Sequence, residues 1–178
     1  MKILFLNPPD INKVAESTTD EKSQEYIESD DFGAFPPLGI LYLMAYLEKN
    51  APHHKLYFKD CVAERYGHKK LIDYVAEIKP DIVAITSFTI SMIDVIIAAQ
   101  NIRKILPKAH LCLGGHHPIA FPFEAASLPE FDSIVVGEGE IAFTELVKAI
   151  EDKKPFTEIT GVYTNESIQK YRNTTLKD

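Results

Sequence analysis

The stretch AHLCLGGHHPIAFP, residues 109–122, decides how this chain folds. Its apolar run, HLCL, stops at Gly114-Gly115 and gives way to His116, His117 and Pro118. A continuous apolar run closed by turn residues reads as a strand covered on both faces, the kind found in parallel sheets. Two residues without side chains at its end permit a tight turn, and they also let a bulky group approach the main chain. His116 and His117 precede a proline, which predicts an extended segment with the two side chains on opposite sides. Joint chelation of a metal is therefore disfavoured, and His116 is the one expected to face a ligand.

Working outward, the same kind of run recurs. KILFLN (2–7) is closed by Pro8-Pro9, and HKLYFKD (54–60), DIVAITSF (81–88) and FDSIVV (131–136) follow. Helical patterns separate them: LGILYLMAYLEKN after Pro36-Pro37, HKKLIDYVAEIK (68–79), DVIIAAQNIRKIL (94–106) and IAFTELVKAIEDK (141–153). The first of these is apolar nearly all round, which predicts a well-buried helix. Residues 10–35 are polar and acidic without apolar periodicity and read as a long loop. Near the end, GVYT and IQKYR flank Asn165-Glu166 and predict a hairpin. Strands alternating with helices imply an α/β fold with a doubly wound, parallel, five-stranded sheet of flavodoxin-like or Rossmann-like type. The domain spans 1–152, and 153–178 form a hairpin and linker.

A net charge of −7 disfavours a nucleic-acid binder, which needs a basic face to displace phosphate counterions. Cys61 and Cys112 lie in apolar runs and read as buried free thiols in a reducing compartment, so a cytoplasmic location is expected. No CxxC or CxxxCxxC occurs, so these residues hold no cysteine-ligated metal. No apolar run reaches the length of a membrane span.

Open α/β sheets bind ligands beyond the carboxyl ends of their strands. The polar and glycine-rich breaks at those ends are Asn7, Pro8 and Pro9, Asp60, Thr86 and Ser87, Gly114 and Gly115 with His116, and Gly137, Glu138 and Gly139. Each alone is an ordinary turn; together they predict a large ligand lying across the edge. No GxGxxG or GxxxxGK[ST] follows the first strand, which argues against a dinucleotide or nucleoside triphosphate. Glu138 has two readings: a carboxylate favoured in a helix's first turn, or an acceptor for a ligand amide or hydroxyl. His53-His54 read as solvated loop, and His110 lies at a strand start. No Ser-His-Asp, Cys-His or paired-carboxylate arrangement assembles, so no catalytic residue is assigned.

The order of the segments NPP (7–9), PPLGILYLMAYLE (36–48), PDIVAITSFT (80–89), LGGHHP (113–118) and DSIVVGEGEIAFTEL (132–146) resembles the N-terminal cobalamin-binding domain of radical S-adenosylmethionine (SAM) enzymes. That class includes B12-dependent methyltransferases and anaerobic magnesium-protoporphyrin ester cyclases. The resemblance covers about residues 1–150. It implies cobalamin as the cofactor, with Thr86 at a hydroxyl position contacting its nucleotide tail. It also implies that Gly114-Gly115 form the turn along which the dimethylbenzimidazole packs, with Gly137-Glu138-Gly139 beside the tail.

Two departures follow. Where the wider superfamily carries D-x-H-x-x-G with a cobalt-ligating histidine, this chain reads Asp60-Cys61-Val62-Ala63-Glu64-Arg65. Valine cannot ligate cobalt, so the resemblance implies base-off binding without a histidine ligand. The radical SAM barrel, with its [4Fe–4S] cluster and SAM, is expected downstream of residue 178 as the domain partner that selects a small-molecule substrate. The rival reading is a B12-like, flavodoxin-like or receiver-like module with no corrin, serving in regulation or protein interaction.

Overall fold

The computed structural model describes residues 1–12 and 36–175, with side chains as far as Lys170. The expected loop at 10–35 falls almost wholly outside the described residues. In β1 (Lys2–Asn7), Ile3, Leu4, Phe5 and Leu6 are all fully buried, as a strand covered on both faces requires. β2 (Lys55–Asp60) and β3 (Ile82–Ser87) flank it in parallel, with Asn7 opposite Asp60 and Leu6 opposite Ile85. β4 (His110–Gly115) pairs with β3 so that Ser87 lies opposite Gly115, and β5 (Ser133–Val135) pairs with β4. The order is β2-β1-β3-β4-β5, the flavodoxin-like arrangement, and one further strand extends it.

That sixth strand corrects the expected five-stranded sheet with a separate hairpin. Val162–Tyr163 forms β6, which joins the sheet edge antiparallel to β5. The second half of the expected hairpin is instead a helix over Asn165–Thr175. The reason is a reciprocal cap: the Thr164 amide donates to Ser167 Oγ at 2.8 Å, and the Ser167 amide donates to Thr164 Oγ1 at 3.1 Å. The pair satisfies amides that a helix start otherwise leaves orphaned, and it overrides the β preference of the isoleucine and tyrosine that follow. Ile168, buried in the core, then docks the helix.

The remaining helices are α1 (Leu38–Asn50), α2 (His68–Ile78), α3 (Met92–Ile105), α4 (His116–Ala120), α5 (Pro122–Ser127) and α6 (Gly139–Glu151); Asn165–Thr175 is α7. Two core clusters form, one on each face of the sheet. One joins Leu4, Leu6, Val83 and Leu111 to α2, α3 and α7; the other joins Ile3, Phe5 and Cys112 to α1 and α6. The Phe5 and Phe143 rings meet edge-to-face at 5.5 Å in the second. Each fully buried Leu or Phe contributes about 1.5–3 kcal/mol relative to exposure. Both cysteines are buried free thiols, and burial pushes each up to about 12, which makes them inert.

Two local expectations change. α1 is not well buried: Ile40 and Leu47 reach the core, whereas Leu38, Leu41 and Tyr42 in its first turns are exposed. His116 and His117 are not extended but open α4. Pro118 is tolerated because it occupies the third helical position, where its missing N–H has no intrahelical acceptor to lose.

Candidate functional site

All five parallel strands end at one edge, with β1 and β3, which lead to opposite sides of the sheet, at its centre. This edge is the topological switch point where α/β folds leave a crevice. The structure places the sequence-predicted residues there, but gives them different work.

Asn7 and Asp60 hold the turns rather than an open cleft. Asn7 Nδ2 donates to Asp60 Oδ1 at 2.9 Å, and the same oxygen accepts the amides of Val62 and Ala63, each at 3.1 Å. These bonds close the turn after β2 and leave Val62 facing solvent. Arg65, at the position where the superfamily pattern has glycine, keeps a left-handed φ of 52°. Pro8 and Pro9 are buried behind Asn7.

At the end of β3, buried Ser87 donates its hydroxyl to the Gly114 carbonyl at 2.8 Å, tying two strand ends together. The two following glycines separate in role. Gly115 has φ 94° and ψ −162°, and a Cβ there would lie 2.6 Å from both Ser87 N and O and 2.7 Å from Thr86 Oγ1. Its bareness is demanded by the fold itself. A Cβ on Gly114 would meet nothing within 4 Å, and the same holds for Gly137 after β5, although its φ of 92° by itself favours glycine. These two face open space beside the edge. Gly139 lets α6 approach α1, since a Cβ there would lie 3.0 Å from Leu43 Cδ2. Glu138 is the exposed residue preceding α6 and makes no side-chain cap hydrogen bond, which leaves its carboxylate to solvent or a ligand.

His116 stacks on Phe88 with ring centroids 4.6 Å apart and planes 12° from parallel, a flat platform at the mouth of β3 and β4. His117, missed by the sequence reading, is buried with Nδ1 3.2 Å from Thr89 Oγ1, and its Nε2 has no partner among the described residues. Also missed was an apolar rim: Leu38, Tyr42, Phe88, Ile90, Ile119 and Ile141 are exposed at helix starts and turns along this edge. Their signal in the sequence was their place at helix starts and in the turn after β3, where polar residues usually stand.

A second unforeseen group anchors the segment after β1. The Asp94 carboxylate is fully buried and accepts the amides of Ile11 and Asn12, the Asn12 side chain, and His68 Nε2 at 2.7 Å. Burial alone would raise its pKa, but these donors outweigh burial and hold it below the ordinary carboxylate value. Elsewhere, His54 is buried rather than solvated, against the sequence expectation.

Comparison with known proteins bears on this edge. Residues 32–147 match the B12 binding domain family. The chain is 35% identical over 123 residues to the anaerobic magnesium-protoporphyrin IX monomethyl ester cyclase of Cereibacter sphaeroides, covering 67% of this chain and 19% of that enzyme. It is 31% identical over 139 residues to an uncharacterized methyltransferase of Pyrococcus horikoshii, covering 78% and 29% respectively. Among solved structures, it superposes on the radical SAM methyltransferase TsrM from Kitasatospora setae with cobalamin and a [4Fe–4S] cluster bound. That match has a TM-score of 0.72 at 19% identity and covers 92% of this chain and 29% of TsrM. The cobalamin-dependent SAM radical enzyme OxsB with aqua-cobalamin bound gives 0.66 at 15% identity, over 92% and 20%. The chain thus spans under a third of each of these proteins.

Proposed function

The chain belongs to the B12 binding domain family, and on that premise we propose that it is the cobalamin-binding module of a radical SAM enzyme. The observation that carries this reading is the open space beside Gly114 and Gly137, two bare positions on neighbouring strand ends. A broad ring with a trailing base can rest there against main chain, with the His116–Phe88 platform beside it and Glu138 available to accept from an amide. Thr86 and Ser87 supply hydroxyls at the adjoining strand end, although Ser87 already donates to Gly114. When bound, cobalamin supplies a cobalt-carried methyl group, and this chain's part is to hold and orient the corrin.

Binding is base-off without a protein histidine on cobalt. Exposed Val62 occupies the ligand position, and the neighbouring Asp60 oxygen is engaged by the turn. The SAM, the [4Fe–4S] cluster and the small-molecule substrate belong to a separate barrel domain of that enzyme. Methyl transfer or a related radical rearrangement is the reaction of that whole enzyme.

Titration with hydroxocobalamin tests the proposal. A saturable visible spectral change is expected, and cob(II)alamin bound to the chain should lack the nitrogen splitting that an axial imidazole or benzimidazole produces in its paramagnetic resonance spectrum. Gly114→Leu should fold and bind at least about tenfold more weakly. A wild-type chain that neither shifts the spectrum nor co-elutes with cobalamin at high protein concentration sinks the reading; a nitrogen-split spectrum sinks its base-off part alone.

A further inference from the structure

The opposite edge of the sheet, where the strands begin, holds a second constellation independent of the corrin reading. His53 and His54 sit in the turn before β2, and Glu151 is the last residue of α6. Their ligand-type atoms all lie within 4.8 Å of one another. His53 Nε2 is 3.0 Å and His54 Nε2 3.7 Å from Glu151 Oε2. Sequence neighbours usually splay, yet here the two rings converge, with centroids 4.0 Å apart.

The geometry points to a binding site for one divalent transition-metal ion of the zinc class, held by His53, His54 and Glu151 with water in the fourth position. Ligand atoms about 2.0–2.2 Å from a tetrahedral Zn²⁺ stand roughly 3.3–3.5 Å apart, so the observed spacings bracket what closure around the ion needs. Two imidazoles and one carboxylate form an open three-ligand set suited to this class of metal. Pre-organisation comes from His54, whose side chain is 1% exposed and fixed by burial, with Nε2 facing Glu151. Entry is open, because the His53 side chain is 59% and the Glu151 side chain 35% exposed.

A separate feature favours a cation here. Glu151 places its carboxylate at the C-terminus of α6, where the helix dipole disfavours negative charge. A divalent ion compensates that placement and ties the start of β2 to the end of α6, 97 residues further along the chain than His54.

The test uses the whole 178-residue chain, EDTA-treated and without a polyhistidine tag. Calorimetric titration with Zn²⁺ should give one site per chain of micromolar affinity or tighter, and a thermal midpoint that rises with free Zn²⁺. Co²⁺ should give the intense visible absorption of a four-coordinate site. The two exposed-ligand variants, His53→Ala and Glu151→Gln, avoid the buried ring and should each lose at least about tenfold in affinity. Both should melt within a few degrees of metal-free wild type. Absent Zn²⁺ binding, binding undiminished in both variants, or only the faint absorption of six-coordinate Co²⁺ would overturn the assignment.

Discussion

Gly114 and Gly115 are chemically identical neighbours that the structure uses for opposite ends. Gly115 takes a backbone conformation essentially confined to glycine, against the backbone of Ser87. Gly115→Ala combines a strain of about 1–3 kcal/mol with an overlap against main chain that cannot swing aside, so a loss of about 3 kcal/mol or more is expected. Gly114→Ala meets nothing within 4 Å and should stay within about 1 kcal/mol of wild type. Urea unfolding midpoints of the two variants check the contrast; equal losses would refute it. The sequence announced the pair but not this division, because what Gly115 would strike belongs to β3, 28 residues earlier. The same limit hid the work of Asp60, whose hydrogen bonds to its own turn look in sequence like an available carboxylate.

The alternation of strands and helices could be read directly, since near-continuous apolar runs and 3.6-residue periodicity are local properties. What failed was also local, but polar. The Thr164-x-x-Ser167 cap turned an expected β piece into α7, and Pro118 marked the inside of a short helix rather than an extended approach to one. Asp94 was unreadable for another reason: its donors come from Asn12, 82 residues away, and His68, 26 away. This carboxylate pins the segment after β1 to the starts of α2 and α3, and that joint carries a pH dependence. Its folded pKa is depressed, so the unfolded chain binds the proton more readily. The stabilisation is complete above the unfolded value of about 3.9 and is lost as pH falls through the lower folded value. Asp94→Asn, which removes the charge but little volume, should cost about 1–3 kcal/mol near neutrality. The stability gap between wild type and variant should close on acidification below about pH 4 and stay level above pH 5 or so. Thermal melts of both proteins across that range measure it, and a gap that does not change with pH would contradict the ionic role.

The two edges of the sheet differ in a way that only the assembled molecule reveals. α1, α3, α4 and α6 all begin at the carboxyl edge, and their first turns, with the turn after β3, expose Leu38, Tyr42, Phe88, Ile90, Ile119 and Ile141. Scattered apolar residues on a surface mean little, but six at the helix starts and turns of one sheet edge set that edge apart. In sequence Leu38 and Tyr42 passed as core, since α1 was expected to be buried; burial depends on what lies above the rim, and the family relatives carry most of their length outside the part matched here. If the rim is a face to be covered and not a support of this fold, polar replacements on it should be nearly neutral in stability. Ile90, 72% exposed, and Tyr42, 65% exposed, are the direct probes. The double variant Tyr42→Ser/Ile90→Ser should unfold within about 1 kcal/mol of wild type. It should also bind less of an apolar-sensitive fluorophore such as anilinonaphthalene sulfonate and self-associate less at high concentration. Leu113→Ala, buried one residue before the paired glycines, should instead cost about 2–5 kcal/mol. A rim variant as damaging as the core variant would mean that these side chains support the fold, and the carboxyl edge would then no longer read as a surface awaiting a ligand and a partner domain.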